Sequence, residues 1–169
     1  MPPSRAPRRR AEPTGASREL IQAVLTASRA LFAVAARSLG YVADDVTLAQ
    51  YRVLVELAAR GPQRPADIAS ALAVDRSTTT RMCDRLVRKH LVDRRRTSAD
   101  RRAVRMSLTP AGRELVEQVT ARRRREVARI VRGLPADECQ PMVDALRAFS
   151  DAAGQVPEQD WALGWGLEL

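Results

Sequence analysis

The chain has 169 residues, 45% of them hydrophobic, with a formal net charge of +9 at pH 7 and two cysteines, Cys83 and Cys139. That length suits one domain with a proper core, and two cysteines are too few for a disulfide scaffold. The cations are 28 Arg and one Lys; the guanidinium fork matches phosphate oxygens and guanine edges, although high Arg content also follows from genome composition. No window approaches the ~18 uninterrupted apolar residues of a membrane span. The run Arg8-Arg9-Arg10 is followed by Glu12, Pro13 and Gly15 rather than by an apolar signal segment. A cytoplasmic protein without a membrane role is the expectation.

Residues 1–16 are rich in Pro, Arg and Gly without an apolar period, and read as a disordered basic tail. Such a tail is either an arm along DNA or an end without a role. Ser17 is placed to cap a long helix that ends at Gly40. Its stripe of Leu20, Ile21, Val24, Leu25, Leu31, Phe32, Ala35 and Leu39 is wide enough for two neighbours. Thr47 caps a second helix over residues 48–60, stopped by Gly61-Pro62, with Leu48, Tyr51, Val55 and Leu54 as inward candidates. Pro65 opens a short helix to Leu72, and Ala73-Val74 makes a tight turn. Asp75 caps the next helix, which runs to about Lys89. Two helices joined by so short a turn form a helix-turn-helix.

The helix from Arg76 to Lys89 divides into two faces. Thr79, Met82, Cys83, Leu86 and Val87 recur at helical spacing and are expected inside, while Ser77, Thr80, Arg81, Asp84 and Arg88 lie opposite. Three consecutive threonines are poor helix formers. Near the start of a groove-reading helix they make sense, because hydroxyls reach bases or phosphates and methyls touch thymine. His90 stands where a glycine commonly ends a helix, and His tolerates the left-handed region better than most residues. Residues 92–96 and 103–109 then read as two strands joined by a polar, basic tip, Thr97 to Arg102: a wing that fits a minor groove. From Arg76 to Arg105 there are eleven Arg or Lys against three acids, so nearly all of the net charge sits here. A basic helix followed by a basic hairpin suits a duplex and its phosphates.

Thr109 caps a helix that begins at Pro110 and runs to about Val131. Its apolar positions are Leu115, Val119, Val127, Ile130 and Val131. Arg122 to Arg125 span a full turn and so cannot all face one partner. They are expected to be mostly solvated, with phosphate contact or an inter-subunit ion pair as the alternative. A last helix over residues 136–153 is expected to turn Met142, Val143, Leu146 and Phe149 inward. The tail from Gly154 carries Trp161, Leu163, Trp165 and Leu167, and is expected to dock on its own domain or on a second subunit.

The segments VDRSTTTRMCDRLVRKHLVDRRR and DRRAVRMSLTPAGREL resemble the MarR family of winged-helix transcriptional regulators. Asp100-Arg101-Arg102 matches the family's D-x-R wing tip, and Leu108 to Gly112 its LT-x-x-G exit from the wing. The resemblance implies a mainly α fold with a small β-hairpin wing: a winged helix-turn-helix lobe, residues 47–109, on a helical dimerisation region, residues 17–46 and 110–153. It also implies a homodimer. Arg102 would enter the minor groove with Asp100 orienting it, Arg101 beside it; Ser77, Thr78, Thr80 and Arg81 would face the major groove. Arg85 and Arg94 match positions near the lobe surface. His90 departs from the family's usual glycine, and the first helix lacks the reactive cysteine of the peroxide-sensing branch.

A twofold dimer with recognition helices about 34 Å apart favours a near-palindromic site on double-stranded DNA. Members of the family often bind small aromatic or anionic effectors between dimer helices and lobe. Here Phe32, Tyr51 and Leu54 either line such a cavity or are ordinary core. Cys83 is either a redox switch lowered in pKa by nearby arginines or a small core residue. Neither a metal, a cofactor nor an enzymatic activity is expected: the one histidine has no partner at motif spacing, and there is no P-loop, dinucleotide fingerprint or ligand cluster. An architectural protein of low sequence preference is the rival reading. Single-strand binding is disfavoured, since Arg76 to Arg105 contains no aromatic residue for stacking.

Overall fold

A computed structural model of the chain describes residues 15–96 and 104–161. The expected basic tail, the wing tip from Thr97 to Arg102, and the residues after Trp161 therefore lie outside the described residues, apart from Gly15 and Ala16, which are helical. The elements in order are α1 (Gly15–Val42), α2 (Leu48–Arg60), α3 (Pro65–Leu72), α4 (Arg76–Arg88), β1 (Val92–Arg96), β2 (Val104–Leu108), α5 (Pro110–Val131) and α6 (Ala136–Ala152). A single 3-10 turn, Glu158–Asp160, follows. The chain divides into two compact units, one up to Ala33 and one from Val34 onward.

In the first unit, α1 begins two residues before Ser17, which is thus inside the helix and not its cap. In the second unit it continues through Gly40 to Val42: Gly40 is not left-handed and so does not end the helix. Leu20, Ile21, Leu25, Leu31 and Phe32 are all exposed. By length and mean hydropathy, 1.4 over its most apolar stretch, Ser17–Val42 is a candidate membrane span. A helix apolar on most sides satisfies that test equally when other helices cover it.

The second unit holds the core. Leu54 and Leu57 of α2, Ile68 of α3, Leu86 of α4, Val92 and Met106 of the hairpin, and Val116 and Val119 of α5 are all about 1% exposed or less. Thr47 caps α2 as expected: its Oγ1 accepts from Gln50 N at 3.2 Å, and Gln50 Oε1 accepts from Thr47 N at 3.2 Å. This reciprocal box satisfies two otherwise orphaned donors. Pro65 opens α3, and Ala73 at φ +52 makes the turn into α4. Asp75 occupies the N-cap of α4, but its side chain makes no capping hydrogen bond; only its carbonyl is used, accepting from Thr79 N at 2.9 Å. His90 is left-handed, φ +56, so the helix ends where the absent glycine would have ended it.

The hairpin is antiparallel, with Val92 opposite Leu108 and Arg94 opposite Met106. Gln63 adds a third, unforeseen edge: its N–H donates to Met106 O at 3.0 Å and its carbonyl accepts from Met106 N at 2.7 Å. The Gly61-Pro62 stop therefore does more than end α2; it sets a strand-like residue against the wing. Thr109 joins hairpin to helix. Its Oγ1 donates to His90 O at 2.7 Å and accepts from Gly112 N at 3.0 Å. A Cβ on Gly112 would stand 2.1 Å from Leu91 O, so only glycine lets the first turn of α5 come this close to the end of the α4–β1 turn.

Two expectations fail in this unit. Met142, Val143, Leu146 and Phe149 of α6 are exposed by 38–54%, and α6 buries no side chain. Helical spacing selected their common face, but among the described residues nothing covers it. The arginines 122–125 are also less solvated than expected. Arg122 lies over the Tyr41 ring, 3.5 Å from its centroid, Arg123 is half-buried, and Arg124 pairs with Glu158 at 2.9 Å. Since the four span a whole turn, they meet different surroundings around α5, and among the described residues no ion pair uses Arg123 or Arg125.

Candidate nucleic-acid interface

The two faces of α4 fall as its spacing dictates. Thr79, Cys83 and Leu86 have no exposed surface and Met82 has 8%, whereas Arg76, Ser77, Thr78, Thr80, Arg81, Arg85 and Arg88 are exposed. Met82, Cys83 and Leu86 belong to the hydrophobic core, so burying them presses the helix onto the lobe and aims the other face outward. Arg81, Arg85 and Arg88 follow at i, i+4 and i+7 and share one stripe. None of the ion pairs among the described residues uses Arg76, Arg81, Arg85 or Arg88. Four unpaired guanidinium groups on one helix suit phosphate oxygens and guanine edges.

The threonines differ in what they offer. Thr79 is core. Thr80 Oγ1 donates to Arg76 O at 2.8 Å, so its hydrogen is committed and an acceptor oxygen and a methyl remain for a base edge. Ser77 and Thr78 are exposed in the first turn, where the helix dipole favours an anion. Arg94 of β1 pairs with Asp84 of α4, which ties the wing's first strand to the recognition helix and occupies one of the expected DNA-facing arginines. Lys89, at the other end of α4, pairs with Asp45 and donates to Asp45 O at 2.7 Å. Arg105 of β2 donates to Pro62 O at 3.1 Å. The first contact joins helix to hairpin, while the other two tie the end of α4 and the hairpin to the loops before and after α2; the sequence pattern flagged the charges but not their pairing. Asp100, Arg101 and Arg102 lie outside the described residues.

Cys83 is shut inside the lobe. Burial first of all pushes its thiol up to about 11, with Arg94 opposing and Asp84 adding to the shift. At neutral pH this burial disfavours the thiolate that redox chemistry needs, which speaks for the reading of Cys83 as a small core residue. Tyr51 is 4% exposed and Leu54 0%, both within the core, while Phe32 is 64% exposed in the other unit. Burial raises the Tyr51 phenol; Thr120 and Arg123 beside it act the other way, though neither reaches hydrogen-bond geometry with its hydroxyl. Among the described residues no group of three His, Cys, Asp or Glu side chains could hold a metal ion.

Comparison with known proteins agrees with this geometry. Residues 46–104, from the loop before α2 to the start of β2, match the model of the MarR family. The chain is 33% identical over 123 residues to the HTH-type transcriptional repressor MdtR of Bacillus subtilis (strain 168), covering 73% of this chain and 79% of that protein. The crystal structure of RV1404 from Mycobacterium tuberculosis is 43% identical, with a TM-score of 0.78 over 82% of this chain and 94% of that one. A mutant MarR from E. coli, solved in complex with operator DNA, is 28% identical at a TM-score of 0.59 over 78% of this chain and 93% of that one. An outward basic helix, a paired wing and these relatives lead to one conclusion: the chain belongs to the MarR family of DNA-binding transcriptional regulators.

Proposed function

We propose that this regulator is a repressor, acting in the cytoplasm as a homodimer on a near-palindromic operator and released by a small aromatic or anionic effector. The observation that carries the reading is α4: a buried apolar underside below an exposed face of hydroxyls and unpaired arginines. Ser77, Thr78, Thr80, Arg81 and Arg85 read the major groove, and Arg101 and Arg102, oriented by Asp100, reach the minor groove. Arg94 acts from behind, through Asp84. Dimerisation is favoured by the uncovered apolar residues of α1 and of α6, which water would otherwise face. Repression is favoured by the relative named a repressor, and operator binding by the relative solved on operator DNA.

The effector reading has narrower support. The hydroxyls of Tyr51 and Thr120 and the Nε of Arg123 are buried without hydrogen-bond partners, and a buried polar group without one is costly. An anionic aromatic molecule would satisfy them. Tyr51 is then its contact, and Leu54, wholly inside the core, backs the site without touching it.

The test begins with selection of genomic fragments bound by the protein. Affinity for the selected duplex is then compared with a scrambled duplex at one salt concentration. A specific regulator prefers the selected site by a factor on the order of 10³ or more. A ratio near one sinks the operator reading and favours an architectural protein. Sedimentation equilibrium reports the dimer, and release of the duplex by small anionic aromatics reports the effector.

A further inference from the structure

Although α6 buries none of its side chains, the residues after it are anchored. Gly154, at φ +66, turns the chain, and Gln155 N donates back to Ser150 O at 3.0 Å to close the helix end. Val156 packs on the lobe core and Trp161 joins that core with 7% of its surface exposed. The indole Nε1 donates to Val156 O at 3.0 Å, folding the segment onto itself.

Two arginines, one on α2 of the lobe and one on α5, grip this segment. Arg60, at the end of α2, donates from Nη2 to Gly154 O at 3.2 Å. Arg124 of α5 sets Nε and Nη2 at 3.2 and 2.9 Å from one oxygen of Glu158. The anchors thus span both ends of the stretch, Gly154 and Trp161, and use two different helices, α2 of the lobe and α5 packed against it.

We infer that residues 154–161 are a strap that fixes α6 to the winged lobe, with the Arg124–Glu158 pair as its clasp and Trp161 as its anchor. An otherwise unpacked helix takes its position from this connection. Where α6 supplies the dimer surface, the strap sets how far apart two copies of α4 stand on DNA; that step rests on the dimeric reading above. Opening the strap leaves each lobe able to bind half an operator but loosens the pair.

The test uses the full chain with Trp165→Phe, so that Trp161 alone reports by fluorescence. Glu158→Arg sets like charges against Arg124 and is expected to shift Trp161 emission to the red. It is expected to weaken binding to a duplex with both half-sites roughly tenfold, the scale of a modest coupling between sites. Affinity for a duplex with one half-site and the dimer mass are expected to stay as in the parent. Trp161→Ala should act alike, followed by absorbance or circular dichroism since it removes the probe, and Trp161→Phe should restore most of the binding. Equal losses on both duplexes would point to general unfolding and overturn the proposal. So would unchanged emission in Glu158→Arg, or unchanged binding once the emission has shifted. Should the parent itself show no preference for two half-sites, the dimeric reading fails. The strap is then judged on hydrogen exchange of residues 136–152: faster exchange in Glu158→Arg supports it, and unchanged exchange refutes it.

Discussion

The winged lobe and α6 carry the same kind of pattern and meet opposite fates. In α4, the apolar residues at helical spacing are Met82, Cys83 and Leu86, and all are inside. In α6, Met142, Val143, Leu146 and Phe149 have comparable spacing, and all are outside. Spacing tells which side chains share a face, because that follows from 3.6 residues per turn. It does not tell what covers the face. In the lobe the cover lies within the same unit: α2, α3, the hairpin and α5 surround α4. For α6 no such cover exists among the described residues, and a second chain is the proposed one.

The sharpest break in this comparison comes from deletion of apolar mass on each side. Leu86→Ala should cost about 2–5 kcal/mol of unfolding free energy, as for a buried leucine whose cavity relaxes only partly. Leu146→Ala in α6 should leave unfolding of dilute monomer nearly unchanged and weaken self-association instead. Denaturation at several protein concentrations separates the two. Gly112→Ala belongs with Leu86→Ala in size, since its Cβ would collide with a backbone carbonyl that cannot swing away.

Alkaline titration probes the lobe by another route. A buried thiol raised to about 11 from an ordinary value of 9.0 favours the folded state's neutral form. Its contribution is whole below pH 9 and is lost as pH rises toward 11, to the extent of roughly 2–3 kcal/mol. Cys83→Ala should flatten that decline, leaving the part due to Tyr51, whose phenol is raised in the same sense. Chemical denaturation from pH 7 to 11 measures it. An equally steep decline in both proteins would place the titrating group elsewhere.

On the exposed side of α4 the expected loss is in binding alone. Arg81→Ala should weaken the selected duplex by about 1–3 kcal/mol, the value of a good base contact, with the melting temperature unmoved. A parallel fall in melting temperature would mean that Arg81 supports the fold. The smallest effect is expected at the helix end. His90→Gly relieves a left-handed non-glycine backbone and should stabilise by about 0.5–1 kcal/mol, the relief set partly against glycine's extra freedom when unfolded. No gain in a thermal melt would show that the His90 side chain compensates for its backbone.

Much of the lobe was legible from residue order. Pro65, Thr47 and Thr109 act locally, through a fixed φ or a hydroxyl that reaches the next turn, so their effect needs no distant partner. The same holds for the left-handed turn at His90. The expected cap at Ser17 and stop at Gly40 were wrong for a related reason: a capping residue or a glycine permits a helix end but does not impose one. Gln63 was invisible because a single bridging residue has no alternation to detect.

Residue order by itself determined the helix boundaries within the lobe, the outward face of α4 and the concentration of positive charge around it. These follow from backbone geometry and the cost of burying charge, both of which operate over a few residues. Only the tertiary structure decided that Arg94 serves Asp84, that Arg124 holds Glu158, that burial raises the Cys83 thiol and that Trp161 returns to the lobe. Each of these depends on which surfaces meet across the fold, and a charge or a ring has no preferred partner until packing brings one within reach.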